Sequence, residues 1–350
     1  MLQDKDILAF LELVRAGLWE KEAQLLQYGK IDWDAICQLT GEQSVIGLVT
    51  AGIEHIQDVK APQEIVLQCV GESLQLEQTN KAMNQFIEKL VGKMSEADIF
   101  TLLVKGQGLA QYYERPLWRV SGDVDLLLSD SNYQKAKKFL LPLSTDNKSD
   151  ERYSKHLGMN IDQWYVEIHG TLRTGLSGKV DRVVDDVQKD VFYGGQVRSW
   201  LNGKTQIFMP SPDNDVFFVF THFIKHFYKE GINLRQVCDW CRLLWTYKDS
   251  LNLELLETRI RKAGLMSEWK AFAALAVEYL GMPVEAMPLY DVKGKKKAEQ
   301  ILRHILKGVP YNVIRDTWAI AKIFPWHTCK FLPAIFLNVN GLKIKERLFY

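Results

Sequence analysis

The stretch "SGDVDLLL", residues Ser121 to Leu128, places two aspartates one residue apart at the head of an apolar run. In a β-strand, alternate side chains share a face, so Asp123 and Asp125 would lie side by side while Val124 points the opposite way. Two adjacent carboxylates in a poorly solvated site repel each other unless a cation lies between them. The pair therefore indicates half of a divalent-metal site, although a bare Asp-x-Asp also occurs as a turn residue followed by a satisfied strand-edge residue.

A third carboxylate follows in the segment "DQWYVEIHG". Its alternation puts Val166 and Ile168 on one face of a second strand, and Glu167 on the other face together with His169. We expect Glu167 to approach the aspartate pair from a neighbouring strand. Ligation by oxygen atoms, with room left for substrate phosphates, favours Mg²⁺, with Mn²⁺ as the alternative.

A glycine-marked helix start precedes the aspartates. Gly106 and Gly108 come after the apolar segment "DIFTLLVKG" and open the helical segment "QGLAQYYE". A dinucleotide-binding glycine fingerprint is excluded because Gln111 occupies the place of its third glycine. The remaining prediction is a helix N-terminus whose free backbone amides suit phosphate oxygens, with Lys105 beside it.

The periodicity of the apolar residues divides the chain into three parts and predicts an α+β fold. We expect an N-terminal helical region over residues 1–96, a small mixed-sheet α/β core over 97–210 and a C-terminal helical region over 211–350. In the first region, Pro62 starts a helix that reaches Val70 or beyond, and residues 80–94 form another.

The core is expected to run strand, helix, strand, helix, strand, strand. Ser131 with Gln134 fits a capping box for the helix after the second strand. Residues 153–160 and 163–169 are predicted to form two tightly joined strands, and glycine turns delimit further short strands that end near Pro210. Ser211 as N-cap and Pro212 as first residue then begin the C-terminal helices.

Composition excludes several classes of protein. The chain has 350 residues and a formal net charge of +1, so no overall field recruits a nucleic-acid backbone, and no template nucleic acid is expected. Five scattered cysteines argue for a reducing compartment, and the acidic N-terminus does not fit a signal peptide. Charged residues and prolines interrupt the apolar stretch from Trp318 to Leu342, so we expect a buried or partner-facing helix pair and no transmembrane segment. We therefore expect a cytoplasmic protein.

The order of these motifs resembles a known family. The segment "LVKGQGLAQYYERPLWRVSGDVDLLL" looks like the start of a nucleotidyltransferase-fold domain of the DNA polymerase β superfamily. With "VEIHG", "SPDNDVFFVFTHFIKH" and "LRQVCDW" added, the chain resembles the bacterial uncharacterised nucleotidyltransferase family over roughly residues 40 to 290. Gln107 stands where the superfamily usually has Ser or Gly.

The resemblance implies a mechanism and a set of site residues. Asp123 and Asp125 would hold Mg²⁺ against a nucleoside triphosphate, and Glu167 would complete the site for a second ion or serve as the base. An acceptor would attack the α-phosphorus and expel pyrophosphate. The residues expected to bind the nucleotide, some through backbone amides and some as counter-charges, are Lys105, Gly106, Gln107, Gly108, Arg119 and Gly122.

Two residues of the site keep alternatives. Arg119 could instead pair with Asp125 or lie on the surface, and His169 could be a neutral histidine packed near a strand end. The resemblance also implies that the C-terminal helical region covers the cleft, where further contacts are expected from Lys225, His226, Arg235 and Asp239.

A zinc site is the alternative for one further pattern. His222 and His226 stand four residues apart, and Cys238 and Cys241 have Cys-x₂-Cys spacing. The two cysteines and Trp245 also fall on one apolar helical stripe, which buried free thiols explain more simply.

The leading hypothesis is an Mg²⁺-dependent, ATP-binding or other NTP-using nucleotidyltransferase that moves an NMP unit to a small-molecule acceptor. The alternatives are a protein-nucleotidylating, for example AMPylating, regulator or toxin, and a nucleotide-binding module without turnover. The sequence leaves the acceptor, the preferred base and the oligomeric state open.

Overall fold

A computed structural model of the chain describes residues 4–145 and 155–344. Four helices open the chain, a six-strand segment with three helices follows, and seven helices complete the described part. Their bounds in the N-terminal part are α1 Asp4–Trp19, α2 Trp33–Gln43, α3 Ile46–Glu54 and α4 Gln63–Glu96. The middle part contains β1 Leu102–Val104, α5 Gly106–Ala110, β2 Asp123–Leu127, α6 Asp130–Leu140, β3 His156–Ile161, β4 Trp164–His169, α7 Gly178–Tyr193, β5 Val197–Asn202 and β6 Thr205–Pro210. The last part contains α8 Pro212–Lys229, α9 Leu234–Tyr247, α10 Leu253–Ala263, α11 Met266–Leu280, α12 Lys295–Ile305, α13 Val313–Ile323 and α14 Pro325–Ile344.

These elements confirm the predicted α+β class, with helices before and after a small mixed sheet. The strand order is β1-β2-β4-β3, and β2 and β4 are parallel while both outer pairs are antiparallel. β5 and β6 form a separate antiparallel hairpin. The exact borders of the three predicted regions stay a prediction.

The two faces of β2 have different surroundings. Val124, Leu126 and Leu128 enter a hydrophobic core that also contains Met83 of α4 and Tyr133 of α6. The opposite face carries Asp123, Asp125 and the buried Leu127. This alternation matches the prediction for a strand, and it turns both aspartates towards the helices that follow the sheet.

The helix α4 corrects the prediction of two shorter helices. It continues through residues 71–79 because the chain has no proline there and because the buried stripe of Cys69 continues through Ser73 and Asn80. Both polar side chains are satisfied: the Ser73 hydroxyl donates to Thr50 Oγ1 at 2.8 Å, and the Asn80 amide donates to the carbonyls of Leu117 and Arg119. Polar residues in a buried stripe hid the helical period from the sequence.

Three further predictions about local elements need correction. The helix α6 begins at Asp130 with Ser129 as its N-cap, so Ser131 lies inside the helix and forms no capping box with Gln134. The strand expected over residues 98–106 is limited to β1, and the helix expected over 107–114 is only the five-residue α5. Residues 153 and 154, the predicted start of β3, lie outside the described residues.

A helix that the sequence analysis did not identify is α7. Its buried residues Val180, Val183, Val184, Val187 and Val191 have clear helical spacing. Valine favours strands by propensity, but the 3.6-residue period would have identified the helix. The hydroxyl of Ser177 caps its N-terminus by accepting from Val180 N. The helix forms one wall of the cleft described below.

Two glycines allow α1 and α3 to cross closely. A Cβ at Gly17 would lie 1.9 Å from the carbonyl oxygen of Leu48, and one at Gly52 would lie 2.1 Å from that of Leu13. The backbones therefore touch where the helices cross, and any side chain at either position would separate them.

The sequence predicts a buried or partner-facing pair for the last two helices, and their residues are buried only in part. Ile320, Ile323 and Phe331 are buried, whereas Trp318 and Trp326 are mostly exposed. Across residues 4–145 and 155–344, we find no helix with both the length and the apolar character needed to cross a membrane.

Candidate active site

Three carboxylates meet at one end of the parallel strand pair. The register of β2 and β4 places Asp125 opposite Glu167, and Asp123 opposite Tyr165. One oxygen each from Asp123, Asp125 and Glu167 lies within 4.8 Å of the others. Residues forty positions apart in sequence thus form a single cluster, as the alternation in both strands predicts.

Asp125 is the buried member of this cluster, with 1% of its surface exposed. Its Oδ1 atom accepts from Lys105 Nζ at 2.6 Å and contacts His169 Nε2 at 2.7 Å. Burial alone would raise its pKa, but the Lys105 ammonium and the hydrogen bond from His169 hold the pKa well below its usual value. Asp125 is therefore an anion at neutral pH.

The second oxygen of Asp125 is the clearest sign of a missing ligand. Oδ2 is buried and has no hydrogen-bond partner within the described part of the chain. A buried carboxylate oxygen without a partner costs free energy, and a divalent cation shared with Asp123 and Glu167 would remove that cost. The donor set, three carboxylates, fits a hard cation such as Mg²⁺ or Mn²⁺.

Asp123 has the opposite electrostatic situation. Burial and the neighbouring Asp125 charge raise its pKa, with a further contribution from Glu167. Within the described residues it forms no ion pair that would offset this effect. Like charges with opposed pKa shifts are typical of functional sites, and a cation between the carboxylates would return Asp123 to its ionised form.

Two histidines lie beside the carboxylate cluster. His156 Nε2 lies 3.0 Å from Glu167 Oε2, and His169 Nε2 lies 3.5 Å from the same oxygen. Burial lowers the pKa of His169, so the ring is neutral near pH 7. This agrees with the alternative of a neutral histidine at a strand end, although His169 also faces the cleft.

The predicted phosphate-binding loop has a strained start. Lys105 precedes α5 with φ 58° and ψ −148°, a region that residues other than glycine rarely adopt. This conformation turns its ammonium group onto Asp125. Gly106 follows with φ 39° and lines the cleft, while a Cβ there would lie 3.3 Å from the Asp123 carbonyl.

The other loop glycines and Gln107 differ in their surroundings. The Gln107 side chain points into the core, where its amide donates to Asn80 Oδ1 at 2.6 Å. Gly108 packs against Met209, whose sulfur would lie 3.2 Å from an added Cβ. Around Gly122, by contrast, an added Cβ would meet no atom within 4 Å. Only backbone amides of the loop are therefore candidates for phosphate contacts.

Arg119 takes neither of the alternative positions expected for it. The side chain is buried and forms a two-point ion pair with Asp239 of α9, with Nε–Oδ1 3.0 Å and Nη2–Oδ2 2.7 Å. Its Nη1 donates to the Val120 carbonyl and to Ser121 Oγ. Asp239 is thus the charge partner of Arg119, and most of the hydrogen-bond donors of Arg119 are occupied. Few donors are left for a phosphate group.

A large cleft lies in front of the carboxylates. Its volume is about 1420 Å³, and its walls come from β2, β4, α7, α8 and α9. The structure brings all four residues expected from the C-terminal region into this cleft, together with the predicted carboxylates. These four are Lys225, His226, Arg235 and Asp239.

Arg235 is a buried cation of the cleft that is only partly satisfied. Its Nη1 donates to the Val120 carbonyl at 2.6 Å, but its buried Nε has no partner among the described residues. Burial and the nearby Arg119 lower its pKa, and no carboxylate forms an ion pair with it in this part of the chain. A guanidinium in this situation favours an incoming anion.

The zinc alternative has no geometric support. Cys238 and Cys241 are buried free thiols on α9, as the simpler interpretation predicts. Among the described residues, the groups whose ligand atoms could share a metal ion involve only the β2 and β4 carboxylates and their neighbouring histidines. His222 and His226 contact each other instead, with 3.0 Å between their Nε2 atoms.

Sequence reasoning missed several residues of the cleft. His156 on β3 and the α7 residues Asp181, Asp185 and Gln188 all line it. The pattern of α7 would have revealed its existence, but not its position opposite α8. That position depends on contacts between segments far apart in the chain.

Comparisons with known proteins found similarity both by sequence and by structure. A family model described as "Uncharacterised nucleotidyltransferase" matches residues 29–281. Among solved structures, the chain is similar to an antigenic nucleotidyltransferase-like protein from Paracoccidioides brasiliensis, with 11% identity and a TM-score of 0.33, over 61% of this chain and 94% of that one. No curated protein matches the chain.

Proposed function

The chain belongs to the family of uncharacterised nucleotidyltransferases, and from this premise we propose that it transfers an NMP unit from an NTP to a small-molecule acceptor in a reaction that depends on Mg²⁺ or Mn²⁺. Pyrophosphate is the second product. The five free cysteines suit a reducing compartment, and we place the reaction in the cytoplasm.

The observation that carries the proposal is the unsatisfied oxygen of Asp125 within a cluster of three carboxylates. Asp123, Asp125 and Glu167 would hold the metal on the face of the sheet that opens into the cleft. A bound divalent ion supplies charge neutralisation for the phosphates and stabilises the entering and leaving oxygens of an in-line displacement. Without a bound metal ion, the negative charges of the three carboxylates would repel a triphosphate.

The cations of the cleft support the same substrate class. Lys225 has no hydrogen bond or ion pair with any described residue, and Arg235 has a buried Nε without a partner. Both are available for the oxygens of a triphosphate. Lys105 is held by Asp125, so we assign it to neutralising that carboxylate until a metal binds beside it.

The size of the cleft bears on the acceptor. Pockets for single small ligands usually have volumes of roughly 300–1,000 Å³, whereas this cleft has about 1420 Å³. The excess leaves space for an acceptor beside the nucleotide. It also keeps protein nucleotidylation as a second candidate, since an exposed side chain of another protein could enter the same space.

Calorimetric titration tests the proposal directly. Non-hydrolysable analogues of ATP, GTP, CTP and UTP are titrated with Mg²⁺, with Mn²⁺ and without metal. We expect metal-dependent binding of at least one analogue, and its loss in Asp125→Asn. The control is Asp249→Asn, because Asp249 is an exposed carboxylate outside the cleft. Absence of binding of all four analogues to the wild-type chain, with Mg²⁺ and with Mn²⁺, would contradict the proposal.

A second experiment distinguishes a small-molecule acceptor from a protein acceptor. A cell lysate is incubated with the protein and an α-labelled NTP, and the label is followed in the small-molecule and protein fractions. Label in small molecules supports the proposal, whereas label confined to proteins favours the second candidate. Asp125→Asn provides the background level in both fractions.

A further inference from the structure

A series of three side chains in contact lies at the C-terminal end of α8 and has no role in the mechanism above. His222 and His226 stand four residues apart on α8, and Glu230 follows four residues later as the C-cap of the helix. Nε2 of His222 lies 3.0 Å from Nε2 of His226, and Nδ1 of His226 lies 2.6 Å from Glu230 Oε2. All three residues line the cleft.

The series fixes the protonation pattern of neutral imidazoles. A carboxylate only accepts hydrogen bonds, so Glu230 requires the proton of His226 on Nδ1. The Nε2 atom of neutral His226 then carries a lone pair and accepts from His222 Nε2–H. The proton of His222 is thus on Nε2, and its Nδ1 presents a lone pair, as in other sites where a carboxylate selects a histidine tautomer.

His222 is the member of this series farthest from Glu230, and it lines the same cleft as the three carboxylates. The charged or titratable groups that act on it electrostatically include Lys105 before α5, His169 of β4, and Lys225 and His226 of its own helix. The ring of Phe218 packs beside it, with 5.7 Å between ring centroids. Burial, with the Lys105 charge next in weight, lowers its pKa well below the usual value, so the imidazole is neutral.

We propose that His222 is the general base of the transfer reaction, which accepts the proton of the acceptor's hydroxyl or amine at Nδ1, and that His226 and Glu230 are positioning residues. This inference rests on the proposed function. It assigns the base to the helical wall of the cleft and leaves Glu167, which His156 already engages, as a metal ligand.

The step balances as an in-line displacement. The acceptor's O–H or N–H bond breaks as its proton passes to His222 Nδ1, and the acceptor's electron pair forms the new bond to the α-phosphorus. The bond between the α-phosphorus and the bridging oxygen to the β-phosphate breaks, and pyrophosphate leaves with that electron pair. The positive charge that His222 gains stays on its own ring, where it strengthens the hydrogen bond from Nε2–H to His226, and the carboxylate of Glu230 stabilises it electrostatically without taking a proton.

The tautomer can be measured without any turnover. In the intact chain labelled with ¹⁵N-histidine, long-range proton–nitrogen correlation spectra report which ring nitrogen is protonated, and His222→Gln assigns the signal. We expect a lone pair on Nδ1 of His222. Glu230→Gln should keep this pattern because the amide oxygen still accepts from His226, whereas Glu230→Leu should mix the tautomers. The opposite tautomer in the wild-type chain would overturn the proposal.

Kinetics test the role itself. Pyrophosphate release with water as acceptor is followed at saturating NTP and Mn²⁺, together with binding of the non-hydrolysable analogue. For His222→Gln we expect turnover to fall by about 10²–10⁴-fold with unchanged analogue affinity, which is the range for loss of a general base. His226→Gln should lower turnover less and shift the pH profile of the rate.

The control variant removes a similarly paired histidine that lies outside the cleft. His55 Nε2 lies 2.6 Å from Glu20 Oε2, outside the cleft, so His55→Gln removes a paired imidazole with no expected effect on turnover. Wild-type activity in His222→Gln would overturn the assignment of the base while leaving the proposed function intact. A wild-type chain that binds no NTP overturns both, and in that case the spectra still decide the tautomer.

Discussion

Asp239 of α9 clamps Arg119 through both carboxylate oxygens, at 3.0 Å and 2.7 Å. Tyr113 adds a hydrogen bond to Oδ1 of the same carboxylate at 2.8 Å. Arg119 precedes β2 by four residues, so the pair fixes the segment that leads into Asp123 to the helical region behind the cleft. A residue expected to contact phosphate thus acts as the link between the sheet and the helices.

Breaking this pair should destabilise the protein strongly. For Asp239→Asn or Arg119→Met we expect the free energy of unfolding to fall by about 3–5 kcal/mol, because one charge stays buried without its partner. Urea unfolding measures it. Replacing both, as Arg119→Met with Asp239→Asn, should cost less than the sum of the two single changes.

An exposed pair provides the comparison. Arg173 and Asp185 are also joined at two points, but the Arg173 side chain is 59% exposed. Arg173→Gln should change the free energy of unfolding by about 1 kcal/mol or less. Equal losses at Arg119 and Arg173 would contradict the importance given to burial.

When the Lys105 side chain is removed, glycine should be more stable than alanine at this position. Lys105→Ala and Lys105→Gly both remove the ammonium group from Asp125. The backbone angles at this position, φ 58° and ψ −148°, are unfavourable for alanine but not for glycine. We expect the glycine variant to be more stable than the alanine variant by about 1 kcal/mol, after the entropic disadvantage of glycine is subtracted. Urea unfolding of the two variants compares them directly, and an alanine variant of equal or higher stability would show that the loop relaxes.

Arg235 should contribute to nucleotide affinity. Arg235→Gln removes a guanidinium that has no carboxylate partner among the described residues, and we expect the Kd of a non-hydrolysable NTP with Mn²⁺ to rise by about 10–100-fold. Arg235→Lys should recover part of the affinity through charge alone. Arg261→Gln, an exposed arginine on α10, is the control for general charge effects. Calorimetry with unchanged affinity in Arg235→Gln would place the anion elsewhere.

His304 should make stability depend on pH. Burial lowers its pKa to about 4, with Lys307 contributing in the same direction, against about 6.5 in the unfolded chain. Between these values the unfolded state binds more protons, so the free energy of unfolding falls as pH falls from about 6.5 to 4.

The variant His304→Gln should lose this contribution. We expect the stability difference between wild type and variant to shrink by about 1–3 kcal/mol from pH 7 to pH 4, measured as urea midpoints at several pH values. His55→Gln controls for the loss of an imidazole at a partly exposed position. A constant difference over this range would mean that His304 has the same pKa in the folded and the unfolded chain.

The carboxylate cluster was predictable because both strands reveal their faces in sequence. Asp123 and Asp125 alternate with buried Val124, and Glu167 alternates with buried Val166 and Ile168. A period of two residues requires no knowledge of distant contacts. The helical period, which is also a local pattern, did not reveal the full length of α4. Its buried stripe carries the polar residues Ser73 and Asn80, whose hydrogen-bond partners come from other segments.

Sequence alone thus determined the α+β class, the faces of β2 and β4 and the three carboxylates, because each follows from the spacing of neighbouring residues. Only the tertiary structure decided that Asp239 pairs with Arg119, that Lys105 and His169 share one oxygen of Asp125, and that His222 lines the same cleft as these groups. Such pairings depend on which helix packs against the sheet. That choice is made by burial summed over the whole chain, and no local pattern records it.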